Sequence, residues 1–317
     1  MISIAFFATI VAMVSFGIRC WKSFANQKES VLGGTQTETS TADKPFGFVD
    51  MALLVFAWMG SPAIIILLAP LYYEVDKLQN LSQPQMAVAM FFVSAVQLTT
   101  CLLAIAIYAA RYGSLDRSLG LSWDKLRIHS VTAFKWFSMT IPAILCLQAA
   151  LAILTPYDHE TLNQLQEHFS LSTVLFTWFG ATIVAPVCEE LIFRGILQGW
   201  LQRFNQRRDP ENALLDIVGG WPVEPIGVEA RQESEFKNVG KWDRRFWLPI
   251  FISSGLFAAI HVGQGAAPIA LFFFGLVLGY LYRKTGSLIP CIILHFMLNA
   301  FSMFWTTIQT AFSGIVA

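Results

Sequence analysis

The sequence predicts an all-α fold, a polytopic integral-membrane bundle of about eight transmembrane helices. Three observations carry this. Apolar runs of about 20 residues recur along the chain, each able to cross a hydrocarbon core about 30 Å thick. Lys and Arg number 21 and Asp and Glu 21 among 317 residues, so 13% are charged, against about 25% in an ordinary soluble domain. Hydrophobic residues reach 55%, and the mean hydropathy is +0.56. The composition excludes a disordered chain, a secreted disulfide scaffold and a basic nucleic-acid binder, leaving lipid as the first partner.

The expected spans, in order, are Ile2 to Ile18, Met51 to Tyr72, Met86 to Ala110, Val131 to Leu154, Leu171 to Leu201, Phe246 to Val262, Ala267 to Tyr282 and Leu288 to Phe312. The first is read as a helix rather than a cleaved signal. No basic side chain precedes it, whereas Arg19 and Lys22 follow it. Basic residues then fall in every second connection. Arg19, Lys22, Lys28 and Lys44 lie between spans one and two, and Arg111, Arg117, Lys125 and Arg127 between three and four. Arg203 to Arg245 lie between five and six, and Arg283 and Lys284 between seven and eight. The excess of positive charge assigns these loops to the cytoplasm and both termini to the outside.

The chain divides into residues 1–170, holding helices one to four with a polar linker near 21–49, and residues 171–317. The latter carry a cytoplasmic insertion near 205–245, marked by Pro210, Pro222, Pro225 and Gly219-Gly220. The five cysteines, Cys20, Cys101, Cys146, Cys188 and Cys291, are scattered without a CxxC spacing and read as small buried hydrophobes. Gly195-x-x-x-Gly199 and Gly275-x-x-x-Gly279 read as close helix packing. Asp158, His159, Glu160 and His168 read as a solvated outer loop.

Span five contains Pro186-Val-Cys-Glu189-Glu190-Leu-Ile-Phe-Arg194. Charges inside a membrane are costly and mark function by default. Glu190 and Arg194 are four apart and can pair on one face, which leaves Glu189, rotated by about 100°, to face another neighbour. Span six ends in Phe257-Ala-Ala-Ile-His261, and span eight contains His295-Phe-Met-Leu-Asn299. At about 1.5 Å per residue, Glu189 lies at most roughly 21 Å from Arg203, His261 roughly 22 Å from Phe246, and His295 roughly 16 Å from Lys284. One carboxylate, two imidazoles and an amide thus reach one depth, a plausible site for general-base work on water.

The ordered set EExxxR, FxxxH and HxxxN resembles the CPBP family of intramembrane proteases, also called the Abi or CAAX-protease type II family. The matching positions are Glu189, Glu190 and Arg194, then Phe257 and His261, then His295 and Asn299. The resemblance covers about Leu171 to Thr310. It implies an endopeptidase acting on a membrane-associated or prenylated substrate. It further implies that Glu189 activates water with the help of His261, that His295 and Asn299 stabilise the oxyanion, and that Glu190 with Arg194 orients Glu189. The long insertion departs from the family pattern. No cofactor is favoured. The alternative is a zinc ion on Glu189, His261 and His295, although HExxH is missing. Two other functions stay open, a proton-coupled transporter and a non-catalytic scaffold or bacteriocin-immunity protein of the same fold.

Overall fold

A computed structural model describes Ser15, Arg19 and residues 48–73, 82–112, 120, 121, 123–153, 169–206 and 244–316. Apart from Ser15, the first expected span, most of the 21–49 linker, the 207–243 part of the insertion and the 158–168 loop residues lie outside these. The described residues are helical nearly throughout and hold no strand. We number the helices α1 (Phe48–Tyr72), α2 (Gln83–Tyr112), α3 (Leu126–Ala152), α4 (171–206), α5 (Arg244–Ala259), α6 (Ala267–Thr285) and α7 (Ile289–Val316).

Seven of the eight expected spans fall on these helices. Among the described residues five stretches are long and apolar enough to cross a membrane: Pro84–Ile107, Leu126–Leu151, Leu171–Gln202, Ala267–Thr285 and Ile289–Phe312. Phe246–Ala259 is apolar but shorter. Large apolar side chains stand exposed on the outer faces, among them Phe56, Leu71, Leu103, Phe134 and Phe304. In a bundle of this hydropathy such faces are lipid-facing, and the chain is a multi-pass integral membrane protein.

Helix α4 is the centre of the bundle. It packs against α1, α2, α5, α6 and α7, and from Cys188 to Gly199 every residue is buried. A helix enclosed on all sides must satisfy its polar groups from its neighbours. From the sequence, Pro186 frees a backbone carbonyl and points to a kink or widening of this helix. The structure interrupts it twice with π-helical turns, Phe179–Val184 and Leu191–Gln198, on either side of the α segment Ala185–Glu190 that bears both glutamates.

Two glycines join the N-terminal helices to this core. Gly286 ends α6 with φ 60°, its N–H bonding Tyr282 O at 2.8 Å. Gly120 (φ 66°) lies so close that a Cβ there would fall within the backbone of Gly286 and Ser287. Ser287 Oγ donates to Gly120 O, fastening the approach to α3 onto the α6–α7 turn. The predicted packing role of Gly275 and Gly279 is visible too. A Cβ on Gly275 would meet Ser254 of α5 at 3.0 Å.

Candidate active site

The first π turn explains where Asn299 goes. In an α-helix the carbonyl of Ala181 would accept from the N–H of Ala185. Ala185 N–H instead reaches back five residues to Gly180 O. The next N–H along the chain belongs to residue 186, which is proline and has none. Ala181 O is thus left without a main-chain donor from either register. Asn299 Nδ2, from α7, donates to it at 2.8 Å. The second π turn is fastened in the same way, with Ser253 Oγ of α5 donating to Phe193 O at 2.7 Å. Two widened turns, each held by a side chain from another helix, fix the rotation of the segment between them. Wide turns of this kind are frequent at functional sites.

That segment presents the two glutamates differently. Glu190 is fully buried (0% exposed) and divides its carboxylate between two partners. Oε2 lies 3.2 Å from Arg194 Nε, and Oε1 lies 2.8 Å from His295 Nδ1. A carboxylate accepts, so His295 donates through Nδ1 and turns Nε2 the other way. Nε2 lies 3.8 Å from Glu189 Oε2. Glu189 is the one acid of the pair with some exposure, 8%. The sequence reading has Glu190 and Arg194 orienting Glu189, but Glu190 is bonded to His295. The imidazole is the group this pair orients. Arg194 also lies over the Phe257 ring, Cζ 4.5 Å from its centroid.

Phe257, fully buried, is the spacer of the site. Its ring meets His261 edge-on at 5.1 Å between centroids and His295 at 5.8 Å, with Phe193 at 5.4 Å. Phe274 closes the other side of His295 at 5.5 Å. His261 lies just beyond the last residue of α5, in a turn that Gly263 (φ 105°) and Gly265 (φ 58°) make possible. Its Nδ1 donates to Phe257 O at 2.8 Å, which leaves the Nε2 lone pair free to accept. Glu189, Glu190, Arg194, Phe257, His261 and His295 are thus linked through His295 and the Phe257 ring, while Asn299 is held on Ala181 O.

Among the described residues no group of three His, Cys, Asp or Glu side chains is drawn together closely enough to hold a metal ion. His295 Nδ1 and His261 Nδ1 are both committed to protein acceptors. Those two bonds fix the rings and leave the Nε2 of each imidazole as the nitrogen open to a further partner.

Sequence reasoning missed Ser253, Gln198 and the carbonyl of Ala181. Ser253 and Gln198 are small or neutral polar residues inside apolar helices, a weak signal. The proline at 186 did signal a disturbed carbonyl nearby.

The fold and site define a class, the all-helical membrane proteins with a carboxylate–imidazole cluster enclosed between helices. The family follows from comparison. Residues 171–301 match the family described as type II CAAX prenyl endopeptidase Rce1-like, the same stretch that carries the glutamates and both imidazoles. No curated protein matches the chain, and no solved structure does.

Proposed function

We propose that the protein is an intramembrane endopeptidase in which Glu189 activates a water molecule without a metal. The supporting observation is the asymmetry of the two glutamates. Glu190 is spent on Arg194 and His295, while Glu189 is the acid left partly accessible and beside an imidazole. Glu189 takes a proton from water as the oxygen attacks the scissile carbonyl carbon. The Nε2 lone pair of His261 helps to hold that water. The charge that develops on the carbonyl oxygen is met by N–H donors, His295 when its Nε2 is protonated and the second amide hydrogen of Asn299. Collapse of the tetrahedral species breaks the C–N bond, and Glu189 returns its proton to the leaving amine.

The substrate is a membrane-associated peptide, including prenylated C-termini of the kind the family's description names. The basic loops face the cytoplasm in this reading, and both termini face outward. Peptide cleavage by purified protein in liposomes, with and without EDTA, tests the proposal. A farnesylated peptide library serves as substrate. Loss of cleavage in Glu189→Gln with retention in EDTA supports it, and loss in EDTA overturns the metal-free form.

A further inference from the structure

Below Glu190, helix α4 carries Arg194, Gln198 and Gln202 at four-residue intervals. This spacing keeps them on one face across successive turns. Arg194 and Gln198 are fully buried. Among the described residues, Arg194 Nε, Nη1 and Nη2, Gln198 Oε1 and the buried Nε2 of Gln202 have no hydrogen-bond partner. The Arg194 Nε contact with Glu190 is an ion pair at 3.2 Å without hydrogen-bond alignment. Lipid cannot satisfy such groups. The sequence of roles along the helix is complementary: Arg194 offers only donors, Gln198 Oε1 only accepts, and Gln202 Nε2 donates again. Among the described residues the free atoms of these three side chains make no hydrogen bond to one another, and successive positions stand about 6 Å apart along the axis, a distance that a water spans.

The surroundings fix which way the Gln198 amide faces. Gln198 Nε2 donates to the backbone carbonyl of Gly279 at 2.8 Å, which turns Oε1 toward its unpartnered position. Gly279 permits the contact because it lacks a side chain. A Cβ there would stand 2.8 Å from Gln198 Oε1 and 2.9 Å from Ile250 Cγ2. On the same side, Ser254 of α5 is buried with its Oγ unpartnered.

We infer that Arg194, Gln198 and Gln202 hold a file of ordered water that runs from the C-terminal end of α4 to Glu190 and resupplies the hydrolytic site from the aqueous face. The supply role rests on the hydrolase reading given above, but the hydration itself does not. Enclosed water needs two to four polar partners, and this face provides them in alternating sense.

Hydroxyl-radical labelling by X-ray radiolysis of the full chain in lipid nanodiscs tests it, because side chains bordering enclosed water are oxidised where dry ones are not. Ile250 borders the file, and Ile141 is an equally buried isoleucine elsewhere in the core. Ile250 should label about fivefold faster than Ile141 or more, and Gln198→Met should remove most of that excess. In the same variant kcat should fall about tenfold with KM unchanged. Equal labelling of Ile250 and Ile141 in the wild type overturns the file. Excess labelling that survives Gln198→Met overturns Gln198 as its acceptor. Should Gln198→Met fail to fold, the wild-type comparison still decides. Labelling is read whether or not any peptide is cleaved, so failure of the peptidase reading is seen separately.

Discussion

The Glu190–Arg194 pair makes a sharp energetic prediction. Both side chains are fully buried, so removing one leaves the charge of the other enclosed in the bundle without its counter-ion. Deleting one member of such a pair costs about 3–5 kcal/mol, chiefly because an uncompensated charge stays behind. Glu190→Leu strands the guanidinium, whose remaining neighbour among the described residues is the Phe257 ring at 4.5 Å, and it strips His295 of its acceptor. Arg194→Met strands the carboxylate, with His295 as its one remaining partner. If the two effects were independent, the double variant would lose about 6–10 kcal/mol, most of the stability of an ordinary protein. The structure predicts the opposite. Glu190→Leu with Arg194→Met leaves neither charge of the pair behind and should be more stable than either single variant. The double variant should still be inactive, because His295 has lost its orienting carboxylate. Unfolding of all four proteins in mixed micelles, followed by tryptophan fluorescence, measures the cycle. Additivity of the two singles to within about 0.5 kcal/mol would refute the reasoning.

Three further outcomes follow from the same geometry. Asn299→Leu should destabilise by about 1–3 kcal/mol, read in the same unfolding assay, because Ala181 O loses its one side-chain donor inside the bundle. It should also lower cleavage, since the first π turn then loses its fastening. Gly279→Ala should cost about 1–3 kcal/mol in unfolding, given that its Cβ would stand 2.8 Å from Gln198 Oε1 and 2.9 Å from Ile250 Cγ2. Phe257→Leu should reduce kcat by about tenfold or more with little change in KM, as the spacer between the two imidazoles is lost.

The membrane class and the approximate positions of α1 to α7 were legible because a run of about 20 apolar residues has few other uses. The site residues were legible for a related reason. Glu189, Glu190, Arg194, His261 and His295 are ionisable groups among residues that otherwise shun charge, and their spacing within each helix is short. What the sequence did not disclose is how the helices are rotated against each other. Helical spacing put Glu190 and Arg194 on one face, and they do pair. It could not say that His295, more than a hundred residues away, would take the second oxygen of Glu190. The two π turns were hidden as well, because a widened turn depends on partners from distant helices, here Asn299 and Ser253. Pro186 was the one local sign of the first. Gln198 looked unremarkable because a neutral amide costs little in a sequence scan. Its importance comes from Gly279, which approaches it only in three dimensions.

The central claim is that Glu189, and not a bound metal, activates the water. Among the described residues Glu189 pairs with His295 at the long distance of 3.8 Å, so Glu189→Gln should unfold within about 1 kcal/mol of the wild type. Its cleavage rate in liposomes should nevertheless fall by about 100-fold or more, whereas exhaustive EDTA treatment of the wild type should leave the rate unchanged. A folded Glu189→Gln that still cleaves, or a wild type silenced by EDTA and restored by zinc, would contradict the account.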